Sequence, residues 1–158
     1  DPESCRFVLM SDRAVRPGDA FEVFPPYGAN WLICGNTISG CGTPVALDTY
    51  GSATSILRDN VISRGDATGV TEAIKISGRF TLSGNHISGF DEPASAALVI
   101  APDGAGRPPR GLCLRNIFER CAVAVKEVGT GLWQECVTEG NLFIDCGTTP
   151  DRTGPAVP

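Results

Sequence analysis

The sequence predicts an all-β solenoid, a right-handed parallel β-helix of about five to six coils, from three observations. A short motif ending in Asn, any residue and Ile or Phe recurs five times at nearly constant spacing. A second apolar run separates each motif from the next, and no stretch holds a sustained helical period. A coil of roughly 25 residues is too short to bury its own apolar face, so it must stack on its neighbours.

The elements follow in chain order. An early partial coil is readable in Arg6-Phe-Val-Leu-Met10, the turn Arg16-Pro-Gly-Asp19 and Phe21-Glu-Val-Phe24. The first clear motif is Leu32-Ile-Cys-Gly-Asn36-Thr-Ile38, followed by the apolar run Val45-Ala-Leu47. The second is Ile56-Leu-Arg-Asp-Asn60-Val-Ile62 with Ala73-Ile-Lys-Ile76; the third is Thr81-Leu-Ser-Gly-Asn85-His-Ile87 with Ala97-Leu-Val-Ile100. The fourth is Leu112-Cys-Leu-Arg-Asn116-Ile-Phe118 with Val123-Ala-Val125, and Val137-Thr-Glu-Gly-Asn141-Leu-Phe143 is the fifth. Successive asparagines lie 24, 25, 31 and 25 residues apart. The long interval holds a polar insertion, Pro102-Asp-Gly-Ala-Gly-Arg-Pro-Pro-Arg-Gly111, of the kind that forms either a binding lip or a tight connection.

The recurrent Asn reads as a corner residue that tolerates the left-handed conformation. Stacked Asn amides can also hydrogen-bond from coil to coil. Strand alternation then places Ile38, Ile62, Ile87, Phe118 and Phe143 in one buried column. It turns Leu32, Ile56, Thr81, Leu112 and Val137 outward, an apolar strip that calls for a cover: a terminal segment, a second copy or the rest of a larger protein.

Composition fits one domain over residues 1–158, with clear repeats over 31–147, either complete or cut from a larger protein. The 19 Gly and 12 Pro suit many short strands and turns. No apolar stretch approaches the ~20 residues of a membrane span. A net charge of −5, with acids and bases interspersed, lacks the basic stripe of a nucleic-acid surface. Seven cysteines without CxxC spacing argue against a zinc ribbon, and no metal ligands are assigned. Most are expected to be reduced and inward. Cys41, Cys121 and Cys146 each stand five residues after a motif Asn, so Cys121–Cys146 is the favoured bridge if one forms.

Candidate chemistry lies in charged columns. Aligning the second strands sets Asp48, Lys75, Val99 and Lys126 at one outward level. Asp48 and Lys75 would then be an ion pair, or Lys75 or Lys126 a base with Asp48 as cation or sugar ligand, as β-elimination requires. Arg58, Asp59, Arg115 and Glu139 flank the Asn corner as candidate substrate-binding groups. Arg107 and Arg110 are candidates on the insertion. His86, the only histidine, shares its column with Thr37, Val61, Ile117 and Leu142 and is expected to be a packed or half-buried ring rather than a catalytic acid.

The pattern of apolar residue, two small or polar residues, Asn, any residue and Ile resembles the right-handed β-helix repeat family, which includes pectate-lyase-like proteins and polysaccharide epimerases. Arg107-Pro-Pro-Arg110 resembles that family's Arg-x-Pro-x-x-Arg segment at a different spacing. Asn-Thr-Asp, Asp-Asp, Gly-His-Gly and Asp-Pro-His-Asp motifs of related enzymes are absent. The resemblance implies a domain that binds or processes a polysaccharide along an exposed strand face, extracellular or periplasmic, with calcium as cofactor if it is a lyase. The alternative is a non-catalytic structural or interaction segment of a larger secreted β-helix protein.

Overall fold

The structure, a computed structural model, describes residues 30–48 and 53–150. The early partial coil expected over residues 6–24 lies outside the described residues. The first coil is β1 (Trp31–Cys34), β2 (Thr37–Ser39) and β3 (Val45–Asp48); the second is β4 (Thr54–Arg58), β5 (Val61–Ser63) and β6 (Glu72–Ser77). The third is β7 (Arg79–Ser83), β8 (His86–Ser88) and β9 (Ala96–Ala101), and the fourth β10 (Arg110–Leu114), β11 (Ile117–Glu119) and β12 (Val123–Glu127). A 3₁₀ turn at Trp133–Glu135 leads into β13 (Val137–Glu139) and β14 (Leu142–Ile144). All pairings between these strands are parallel, in three sheets: β1-β4-β7-β10-β13, β2-β5-β8-β11-β14 and β3-β6-β9-β12. The described chain is therefore a parallel β-solenoid of about four turns plus two strands of a fifth, fewer than the five to six coils expected.

Each corner between the first and second sheets is two residues long, and its chemistry is the fold's main specification. The left-handed residue is the one before the Asn: Gly35, Asp59, Gly84, Arg115 and Gly140 all have φ between +53° and +66°. This corrects the expectation that Asn itself takes that conformation. The Asn is freed to spend its amide on stacking. Asn36 Nδ2 donates to Asn60 Oδ1, Asn60 to Asn85, Asn85 to Asn116 and Asn116 to Asn141, all at 2.9–3.0 Å. Each of these four oxygens also accepts the backbone N–H of the preceding Asn. Asn60, Asn85 and Asn116 are buried, so every group of this ladder must find its partner within the protein.

Inside the solenoid the columns run as the alternation predicts. Ile38, Ile62, Ile87, Phe118 and Phe143 lie in register, with Ile62, Ile87 and Phe118 fully buried and the end members packed against them. Phe118 and Phe143 stack with ring centroids 5.2 Å apart. A second inward level alternates large and small: Trp31, Ser55, Phe80, Gly111. A Cβ on Gly111 would stand 2.2 Å from the Phe80 ring, so the missing side chain is the space that ring fills.

The third sheet departs from alternation. Ala73, Ala97 and Ala124, and their successors Ile74, Leu98 and Val125, all belong to the buried core. Two consecutive residues of each strand are thus in the core, the first of them always the small alanine. Glu72 and Lys75, on either side of that pair, therefore share the outer surface.

Cys34, Cys41, Cys113, Cys121, Cys136 and Cys146 are all free thiols. Burial pushes the Cys113 and Cys121 thiols up to about 12, with neighbouring Cys146 adding to the second, and burial pushes Cys136 to about 11. Unfolding lets these thiols ionise near 9, whereas the folded protein keeps them neutral. Their stabilising contribution is complete below pH 9 and is lost as pH climbs toward 11–12. Urea midpoints should accordingly fall steeply above pH 9 and stay flat from 7 to 9 as far as thiols are concerned. Replacing all three by Ala or Val should flatten the alkaline limb. Protein unfolded without reductant should titrate these six, of the chain's seven cysteines, as free thiols.

Candidate functional site

Burial on the third sheet sets Val45 opposite Ile74 and Leu47 opposite Ile76. The outward residue facing Lys75 is thus Ala46, and Asp48 faces Ser77. This corrects the expected Asp48–Lys75 neighbourhood: Asp48 is displaced by two residues from the lysine level. Lys75, Val99 and Lys126 do share one level. Lys126 Nζ reaches across the third coil to Glu72 Oε1 at 3.3 Å. Val99, between the two lysines, is only 1% exposed. The lysines of this face flank an apolar residue rather than a carboxylate.

The remaining expected binding residues are scattered. Arg58 Nε lies 3.3 Å from Asp59 Oδ2 on the second coil, and the Asp59 carboxylate packs against Gly84. Arg115, on the fourth coil, donates its backbone N–H to Glu139 O at 2.8 Å and covers Gly140. The third coil separates these two groups, so they form no single cluster. Arg107 is consumed by its own loop: Nε and Nη2 contact Asp103 Oδ2 at 2.7 and 2.6 Å. Asp103 Oδ1 accepts the backbone N–H groups of Ala105 and Arg107. Those bonds, led by the Arg107 side chain, hold the Asp103 carboxyl below the usual carboxylate range. The insertion is a closed turn built around that carboxylate, not an open lip. Arg110 opens β10 in register with Arg79.

Among the described residues a polar cleft lies on another face, along the second sheet. Its outward positions form the row Ser39, Ser63, Ser88, Glu119, and Ser63 Oγ bonds Ser39 Oγ at 2.9 Å. One residue further, the row is Gly40, Arg64, Gly89, Arg120, Asp145, each four residues after its ladder Asn. Gly89 thus places no side chain between two arginines on the coils before and after it. The gap is a cleft of about 380 Å³ lined by Ser63, Arg64, Gly65, Ser88, Gly89, Asp91 and Arg120.

Its walls differ in freedom. The Arg64 side chain is largely buried; Nη1 pairs with Asp91 at 3.3 Å, and Nη2 with Glu92 at 3.4 Å and Gly69 O at 3.2 Å. Arg120 is open, with Nε 3.6 Å from Glu119 Oε1. Glu119 Oε2 in turn meets His86 Nε2 at 2.8 Å. His86 is half-buried, as its column led one to expect, on an outward column whose apolar members Val61 and Leu142 face solvent. An Arg, a paired carboxylate and two serine hydroxyls around one gap can donate to and accept from a hydroxyl-rich ligand.

Among the described residues there is no group of three or more His, Cys, Asp or Glu that could hold a metal ion. None of their helices is long and apolar enough to cross a membrane. Compared with protein-family models, curated proteins and solved structures, the chain matches none.

Proposed function

We propose that the chain is a carbohydrate-related β-helix domain, of the pectate-lyase-like kind its repeat resembles, that binds a polysaccharide along an exposed strand face outside the cytoplasm. The observation that carries this reading is the hydroxyl row of the second sheet running into the cleft at Gly89. Parallel strands about 4.8 Å apart repeat equivalent side chains at fixed intervals, a lattice suited to a polymer of repeating units. Binding is favoured over β-elimination, because Asp48 is out of register with Lys75 and the Lys126 ammonium is engaged by Glu72. A panel of polysaccharides, assayed with calcium and with chelator, should give retention on one or more polymers without an ultraviolet-absorbing unsaturated product. Accumulation of that product would make the domain a lyase; retention by no polymer would remove the carbohydrate reading.

A specific observation favours a second reading, an interaction segment. Leu32, Ile56, Thr81, Leu112 and Val137 lie in register on the outer surface of the first sheet. Leu32 is 60% and Val137 53% exposed, and such contiguous apolar strips commonly mark contact surfaces. Under this reading sedimentation of the wild-type chain shows self-association that Leu112→Lys and Ile56→Lys abolish. A wild type that stays monomeric at every concentration would leave the strip without that role.

A further inference from the structure

We propose that the cleft at Gly89 takes a neutral sugar residue through its vicinal hydroxyls, with Asp91 as acceptor and Arg120 as donor; this rests on the polysaccharide reading above. Three features of the cleft select that ligand class.

The first is the division of labour between the two arginines. Arg64 is bound on both terminal nitrogens by Asp91, Glu92 and the Gly69 carbonyl, so it backs the cleft as a fixed brace. That brace uses only Oδ1 of Asp91, whose side chain is 65% exposed, and so sets the carboxylate at the rim in one orientation. Arg120, 61% exposed, has its Nε near Glu119 as its one ion pair among the described residues. A carboxylate facing a guanidinium across a gap matches a pair of adjacent hydroxyls, one donating and one accepting.

The second is charge. Arg64 and Arg120 are outnumbered in and around the cleft by Asp91, Glu92 and Glu119, and the whole chain carries −5. A uronate or sulfated sugar would bring a further anion to a place with no surplus of positive charge. A neutral sugar meets no such repulsion. The third is the floor. Ser63 and Ser88 lie in register on β5 and β8, and Gly89 leaves the space above them open. Filling that space should close the site, and Asn does so while accepting the left-handed φ of +79° at this position.

The test is calorimetric titration of the full chain with neutral gluco- and manno-oligosaccharides and, separately, with oligogalacturonate, at low and high salt. The expected result is weak, salt-insensitive binding of a neutral oligosaccharide. Asp91→Asn, Arg120→Gln and Gly89→Asn should each lower its affinity about tenfold or more, near the worth of one charged hydrogen bond. Glu92→Gln, which removes one contact of the same Arg64 brace from outside the cleft, should lose clearly less affinity than Asp91→Asn; equal loss would mean that Asp91 acts only through the brace and does not touch ligand, which overturns its role. Circular dichroism and urea midpoints identify any variant that fails to fold. Should only the galacturonate bind, or should neutral binding survive all three substitutions, the cleft assignment falls while the polysaccharide reading stands. Binding of no oligosaccharide would overturn both.

Discussion

Replacing Asn85 by Ala is expected to destabilise the solenoid by about 3–6 kcal/mol. The side chain sits at the middle of the ladder, 1% exposed. It donates to Asn116 Oδ1 at 2.9 Å and Leu57 O at 3.0 Å, and it accepts the N–H and Nδ2 of Asn60 at 3.1 and 2.9 Å. Truncation strips partners from two donors and a carbonyl that water cannot reach, and each such loss costs about 1–3 kcal/mol. The terminal rung gives the internal control. Asn141 is only partly buried and passes no amide hydrogen on to a further described coil, so Asn141→Ala should cost distinctly less. Urea unfolding followed by circular dichroism measures both. Equal and small losses at the two positions would mean that the ladder contributes little.

The second large effect is steric. Phe80→Ala removes one of the largest fully buried side chains of the core and should cost about 3–5 kcal/mol. Gly111→Ala forces a methyl group into the same ring and should cost about 1–3 kcal/mol. The two are not independent. Once Phe80 is Ala, the methyl at 111 enters space already vacated, so the double variant should be less destabilised than the sum of the singles. A double-mutant cycle with additive losses would show that the Phe80–Gly111 contact is not what sets the level's width.

Why some of this was legible in the sequence and some was not follows from how far a register signal travels. The Asn corner is rigid and two residues long, so it fixes both strands beside it. The columns through Ile62 and Ile87, and the apolar strip through Ile56 and Leu112, could therefore be read from spacing alone. The third sheet is reached through connections of unequal length, from Arg120–Ala122 to Arg64–Thr71, which carry no register. Asp48 was misaligned with Lys75 for that reason; only the inward pairing of Leu47 with Ile76 sets it right. At the corners, Gly35, Gly84 and Gly140 announce a left-handed residue, but Asp59 and Arg115 take the same conformation and disguise it. The column of His86 marks it as packed or half-buried, and the structure takes the second, because apolar neighbours on a sheet face do not imply full burial. The cleft left a readable trace: four residues past each Asn the chain reads Gly, Arg, Gly, Arg, Asp. Its meaning depends on knowing that these positions are stacked.

Because every amide in the ladder points the same way, each coil presents to the next what it receives from the one before. The coil is then a unit that can be removed or copied without loss of grammar. Excision of residues 61–85 would bring Asn60 against Asn116 with the same amide-to-carbonyl match, and His86 would follow Asn60 as Val61 now does. The backbone would not register the missing turn. What would register it are the side chains that fit only one neighbour, with Phe80 lost from over Gly111 and Ser55 set there in its place. A protein of this kind can change length by whole coils, and its individuality resides in how the sizes of successive residues interlock.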